Sequence, residues 1–239
     1  VLKALEAHGI FPDVIAGTSA GSAVGAFAAA GVAAAEIEVL TKGLKWSSAI
    51  RPVVSPMGFF SNLPLGAFVR ANLNISDISD MKTAFAAIAY DIVNGEEVVM
   101  TDGDIAEAVR ASCAVPGIFT PVRTNDGRML VDGAVTAGLP VDQAKSLGAD
   151  VVIAVDLIGC GATFRARPRT AFGVMIRSAL TLIRTSVSEQ RQRADIVIEP
   201  RIAHIRPDQM MRRRELIELG EAAALEKIEE IRRSAGLNV

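Results

Sequence analysis

The chain has 239 residues, half of them hydrophobic, with a formal net charge of −2. That composition suits one α/β domain with a sizeable core and gives no reason to expect a nucleic-acid partner. Two cysteines and two histidines are too few for a disulfide framework or a metal centre, so Cys113 and Cys160 are expected as free thiols and no metal or cofactor is expected.

In chain order, Val1, Leu2 and Leu5 have helical spacing, and His8-Gly9 is a stop. Asp13 to Gly17 reads as a short strand that runs into Thr18-Ser19-Ala20-Gly21, where an Ala-rich helix begins. The apolar run from Ala23 to Ala35 is thirteen residues long, short of the ~20 residues of a membrane span, and no secretory leader is visible. A cytoplasmic protein with at most peripheral membrane contact is the expectation. Residues 33 to 45 read as a second helix and Trp46 to Asn74 as an irregular apolar stretch, in which Gly58 to Phe68 could line a pocket, touch a lipid surface or pack in the core.

Thr83 to Val93 and Glu96 to Met100 flank Asn94-Gly95, a hairpin signal. A helix is expected over 104–113. Ile118 to Arg123 and Arg128 to Val131 flank Asn125-Asp126-Gly127, a second hairpin that delivers the chain to Asp132-Gly133. A helix at 141–147, a strand from Asp150 to Leu157, a long helix at 172–193, a strand from Ile196 to Glu199 and a charged helix at 212–234 complete the reading. Strands alternating with helices, and continuous apolar runs such as Val151 to Val155, predict an α/β fold with a largely parallel sheet covered on both faces. Without a linker or repeat, residues 1–239 are expected to form a single domain. Residues 160–239 hold 15 Lys and Arg against 10 Asp and Glu, a bias read as solvated arginines ahead of contact with anionic lipid.

Gly17-Thr18-Ser19-Ala20-Gly21 matches G-x-S-x-G, the sharp strand-to-helix turn that projects a nucleophilic serine above a sheet. The helix that follows aims its first N–H groups and positive dipole end at the anion formed during acyl transfer. The serine needs a base. His204, in Ile202-Ala203-His204-Ile205-Arg206, is the one histidine that follows Ser19 and Asp132 in the order of an α/β-hydrolase triad, although its setting reads as surface. Asp132 could instead take the proton directly, which requires burial to raise a carboxylate that ordinarily titrates near ~3.9. By itself Asp132-Gly133 also reads as a plain turn. Asp156 is taken as structural, and Gly159-Cys160-Gly161 lacks the third glycine of a dinucleotide fingerprint.

Gly17-Thr18-Ser19-Ala20-Gly21, Asp132-Gly133-Ala134 and the intervening Ala111-Ser-Cys-Ala-Val-Pro-Gly-Ile-Phe-Thr-Pro121 together resemble the patatin-like phospholipase family, with Val1 to Ile10 resembling the helix before the elbow. The resemblance covers most of the chain and implies a three-layer α/β/α fold. It also implies a Ser-Asp dyad of Ser19 and Asp132, with Gly17, Gly21 and Gly133 shaping the elbow and the dyad loop. The implied activity is hydrolysis of lipid acyl esters through an acyl-enzyme intermediate, without histidine or metal. The family's first strand and glycine-rich oxyanion loop would precede Val1, which would leave a sheet edge open to a second copy of the chain. Two alternatives stay open: a patatin-like protein that binds lipid without turnover, and an esterase using Ser19, Asp132 and His204.

Overall fold

The computed structural model describes residues 1–42, 49–159, 167–205 and 209–237. Trp46, Cys160, Gly161 and Arg206 lie outside the described residues, so the second-thiol and glycine-motif expectations are not placed. The first half of the chain forms α1 (Leu2–Ala7), β1 (Val14–Thr18), α2 (Ala20–Ala29), α3 (Ala34–Lys42), β2 (Arg51–Pro52), β3 (Phe60–Ser61), α4 (Leu63–Asn72), β4 (Ala84–Asp91), β5 (Glu96–Met100) and α5 (Ile105–Ser112). The second half forms β6 (Val122–Arg123), β7 (Met129–Asp132), α6 (Ala134–Ala137), α7 (Val141–Ser146), β8 (Ile153–Val155), α8 (Ala171–Arg191), β9 (Ile196–Ile198), α9 (Arg213–Leu225) and α10 (Ile228–Ser234). Two compact units result, Pro12–Gly148 and Val1–Phe11 with Ala149–Val239.

In Pro12–Gly148, β4 is the spine of the sheet. Its sequence, Ala-Phe-Ala-Ala-Ile-Ala-Tyr-Asp, is buried along most of its length, as a strand covered on both faces must be. Residues Ala84 to Ile88 pair in parallel with β1, and the next three, Ala89 to Asp91, pair antiparallel with β7. β5 pairs antiparallel with Ala87 to Asp91 and so takes the opposite edge of β4. β1 and β7 therefore follow one another along a single edge and run toward each other. Thr18 ends β1 opposite Ile88, and Asp132 ends β7 opposite Ala89.

Alternation along β4 sorts its side chains between two helical layers. On one face α2 crosses so closely over Ile15 and Phe85 that a Cβ on Gly25 would stand 2.9 Å from the Ile15 side chain, and Ala89 packs with Ala111 and Ala114 at the end of α5. On the other face Ala86 and Ile88 meet Ala137 of α6 and Leu147. This helix–sheet–helix arrangement is the α/β class expected. The antiparallel ladders come from the two glycine-turn hairpins and from the return of β7 onto β4.

In the other unit β8 and β9 pair in parallel, and Leu5, Ile10, Ile196, Ile198, Ala224 and Ile231 share a core. The expected terminal helix is broken between α9 and α10 at Glu226-Lys227, which turns Ile228 and Ile231 into that core. The stretch read as irregular contains α4, whose Pro64 sits in the first turn, where its missing N–H costs nothing. The strand expected from Ile118 shortens to β6, because Ile118 and Phe119 both donate to the Val115 carbonyl in a turn. Among the described residues no helix is long and apolar enough to cross a membrane.

The Asp104 carboxylate caps α5, accepting from the Ala106 and Glu107 N–H groups at 2.9 and 3.0 Å. Asp104→Ala is expected to lower stability by about 1 kcal/mol, measured as a shift in urea midpoint with an unchanged slope.

Candidate active site

Ser19 is the single residue between β1 and α2. Its φ of 54° and ψ of −123° make it the one described non-glycine residue at positive φ, a strain on the order of 1–3 kcal/mol. Hydrogen bonds hold it there from both sides. Its N–H donates to Ser112 Oγ at 2.9 Å, and its carbonyl accepts from Ser22 Oγ at 2.7 Å and from the Ser22 and Ala23 N–H groups at 2.9 and 3.2 Å. The following Ala20 and Gly21 are exposed, and Ala20 N–H is a first-turn donor that no intrahelical carbonyl can satisfy.

The two elbow glycines serve different ends. A Cβ on Gly17 would lie 2.5 Å from the Gly21 carbonyl oxygen, a backbone clash, whereas a Cβ on Gly21 would meet nothing within 4 Å. Strand and helix therefore require glycine at 17, while at 21 the packing does not. Gly133 resembles Gly17: its Cβ would stand 2.4 Å from the Ile88 carbonyl oxygen, at the point where the ends of β1 and β7 meet.

Asp132 is 3 % exposed. Its N–H donates to the Ala114 carbonyl at 2.9 Å, and its Oδ1 accepts from Ala134 N–H at 2.9 Å. The Ser19 hydroxyl lies close enough to the same carboxylate to favour its charged form. Burial pushes Asp132 up from 3.8 to about 6, and the Ser19 and Ala134 donors pull only part of the way back. The structure thus brings together two residues 113 positions apart in sequence. Thr18 ties the ends of the two strands further, its Oγ1 donating to the Ala137 carbonyl at 2.6 Å.

Cys113 Sγ lies 3.9 Å from Ser22 Oγ and near Ser19. Burial, followed by the nearby Asp132 charge, pushes its thiol up to about 12, which favours the neutral thiol beside Ser19. Sequence reasoning assigned no role to Thr18, Ser112 or Cys113. Their one signal was that Ser112 and Cys113 fall within the Ala111 to Pro121 segment.

His204 belongs to the other unit, where its Nε2 is 2.8 Å from Glu215 Oε1 and Arg212 also binds Glu215. His8 Nδ1 bonds the Ala4 carbonyl at 2.7 Å. Asp156 is buried, accepts from the Ile158 and Gly159 N–H groups and pairs with Arg191 at 2.7 Å, the structural role expected of it. A cavity of about 520 Å³ is lined by Arg191, Glu199, Arg201, Glu226 and Lys227 and includes neither Ser19 nor Asp132. A smaller apolar one, about 50 Å³, lies between α2, α3 and α4 against Ala23, Val24, Phe27, Leu65 and Phe68. Ala23 is one helical turn beyond Ser19. Within the Gly58 to Phe68 stretch, Leu65 and Phe68 line this cavity, Ser61 and Asn62 are buried and Phe59 is exposed.

Residues 1–145 match the family model described as Patatin-like phospholipase. The chain is similar to patatin-like phospholipase domain-containing protein 7 of Rattus norvegicus, with 32 % identity over 66 % of this chain and 12 % of that protein. It is also similar to patatin-like phospholipase domain-containing protein 6 of Homo sapiens, with 30 % identity over 66 % of this chain and 12 % of that protein. An uncharacterised NTE family protein of Mycobacterium tuberculosis shows 33 % identity over 66 % of this chain and 44 % of its own length. The chain thus spans a small part of the two mammalian proteins and under half of the mycobacterial one.

Two measurements follow from this geometry. Gly17→Ala is expected to destabilise the fold by roughly 1–3 kcal/mol through the forced backbone shift, while Gly21→Ala stays within about 0.5 kcal/mol, both read from denaturant titrations. Asp132 titrates higher in the folded chain than in the unfolded one, so the folded state holds the extra proton between about pH 4 and 6. The contribution of Asp132 to stability therefore falls as pH rises through that window. Asp132→Asn, which removes the buried charge, is expected to be more stable than wild type by about 3 kcal/mol above pH 6 and to lose that advantage near pH 4. Denaturation of both proteins across pH 4–8 measures the difference.

Proposed function

The chain belongs to the patatin-like phospholipase family, and on that footing we propose that it is a lipid acyl hydrolase in which Ser19 is the nucleophile and Asp132 its base. The observation that carries this reading is that β1 and β7 end at neighbouring positions of β4, which sets Ser19 beside the buried Asp132 carboxylate, whose pKa is raised to about 6. An ordinary aspartate is a weak acceptor for a hydroxyl proton, and each unit of increase in pKa narrows the mismatch by about 1.4 kcal/mol. Burial thus turns Asp132 into a base that is ionised at neutral pH and stronger than a solvated carboxylate.

Ser19 Oγ attacks the ester carbonyl carbon as its proton passes to Asp132. The carbonyl oxygen becomes an oxyanion, and Ala20 N–H, in the first turn of α2 beside Ser19, is the donor this stretch of chain offers it. As the tetrahedral intermediate collapses, the leaving alcohol takes the proton from Asp132 and the acyl group stays on Ser19. Water then attacks the acyl-enzyme, its proton going to Asp132. Collapse releases the fatty acid and returns the proton to Ser19 Oγ. The apolar lining one turn along α2 favours an acyl chain over a polar substituent on the carbonyl side. Phospholipids, lysophospholipids and smaller carboxylic esters are the substrate classes this reading takes in.

The test is hydrolysis of a fluorogenic phospholipid and a short-chain p-nitrophenyl ester by the full-length protein. Ser19→Ala and Asp132→Ala are each expected to lower kcat by at least about 10³-fold, while His204→Ala stays within about twofold, since a triad alone would need the imidazole. Because the carboxylate must be ionised to accept the proton, kcat/KM should rise with pH to a plateau, with a midpoint at about 6. A folded protein that turns over neither substrate would favour lipid binding without catalysis.

A further inference from the structure

One short turn at the end of α5 touches both members of the dyad. Ser112 Oγ accepts the Ser19 N–H at 2.9 Å, and two residues later the Ala114 carbonyl accepts the Asp132 N–H at 2.9 Å. Ser112 and Ala114 are both fully buried. The turn is itself closed, since Cys113 N–H donates to the Val109 and Arg110 carbonyls at 3.0 and 3.2 Å and Ala114 N–H to the Ala111 carbonyl at 3.1 Å.

The sheet explains why a side chain is needed there. β1 pairs with β4 only as far as Thr18, opposite Ile88, and the next position on β4, Ala89, is taken by Asp132. Ser19 has left the ladder, and the positive φ that aims its hydroxyl turns its N–H toward α5. A part-buried donor in that place must find an acceptor, and the Ser112 hydroxyl oxygen is that acceptor.

Resting on the reading of Ser19 and Asp132 given above, we infer that Ser112 is a positioning residue. Its hydroxyl holds the strained Ser19 peptide so that Ser19 Oγ stays within reach of Asp132, whose backbone the same turn holds through Ala114. Ser112 touches no reacting atom. Its effect on turnover is the effect of placement, for which a displacement of about 1 Å can cost on the order of 10²-fold in rate.

The experiment compares the full-length wild type with Ser112→Ala, and with Ser112→Cys under reducing conditions, which keeps a weaker acceptor in nearly the same place. Three quantities are read: hydrogen exchange of the Ser19 amide, kcat and KM on the p-nitrophenyl ester, and the midpoint of the pH profile. In Ser112→Ala the Ser19 amide is expected to exchange about 10-fold faster. Turnover is expected to fall about 10- to 100-fold in kcat, with KM within about twofold and the pH midpoint unmoved, because the surroundings of Asp132 are intact. Ser112→Cys should lie between. Wild-type exchange at Ser19 in Ser112→Ala overturns the inference whatever the activity. So does a loss of turnover matched by loss of folded protein alone, or an unchanged kcat. If the wild type hydrolyses nothing and the Ser19 amide still loosens in Ser112→Ala, the positioning stands and the hydrolase reading is the one that fails.

Discussion

Everything at the candidate site depends on two strands ending at neighbouring positions of one edge. β1 runs parallel to β4 and β7 antiparallel to it, so along that edge their C-terminal ends point at each other, and they stop at Ile88 and Ala89. The residue that leaves β1 and the residue that ends β7 cannot avoid one another. Side-chain period in a strand is two, so slipping either strand by one residue would send its terminal side chain to the opposite face. Gly133 fits against the Ile88 carbonyl at this junction because it has no Cβ, and the Thr18 hydroxyl bonds across to Ala137. Close approach and register are here the same constraint.

That constraint has an electrostatic consequence. The only way to end β7 inside the sheet is to bury what stands there, and a carboxylate so buried resists ionisation. Asp132 is therefore pushed up to about 6, held short of a larger shift by two donors, the Ser19 hydroxyl and the Ala134 N–H. The same burial that makes Asp132 a better proton acceptor weakens the fold at neutral pH. Stability given up at the point of chemistry is a common property of active sites. Here the rest of the unit offsets it with a β4 strand buried on both faces. The same enclosure acts in the same direction on Cys113, where it favours the protonated thiol.

Strain and hydrogen bonding are distributed in the same way. Ser19 carries a backbone conformation that an L-residue rarely adopts, and its peptide groups are bonded to Ser112 on one side and to Ser22 and Ala23 on the other. α5, capped at one end by Asp104 and bonded at the other, with the turn that follows it, to Ser19 and Asp132, brings the packing of a whole helix to bear on two residues. The family match spans all of these positions, from α1 through α7 up to residue 145.

Local patterns determined much of this. The strand and helix around Ser19, both hairpins, α5, α7, α8 and β9 were legible to within a few residues, because periodicity, Asn-Gly and Asp-Gly turns and caps are properties of neighbouring residues. The elbow serine was legible for the same reason. Helix α4 was not, since Leu63-Pro64-Leu65-Gly66 resembles a loop until Val69 is buried behind it. The break between α9 and α10 was equally hidden, because only the core that receives Ile228 and Ile231 requires it. Asp132 could be nominated from its motif, but not distinguished from an ordinary Asp-Gly turn by its own neighbours. What tertiary structure alone decided was the register that sets Asp132 beside Ser19, the burial that raises its pKa, and the placing of Ser112 under the elbow. Each of these depends on groups brought together from some hundred residues apart, and no local pattern encodes the distance between them.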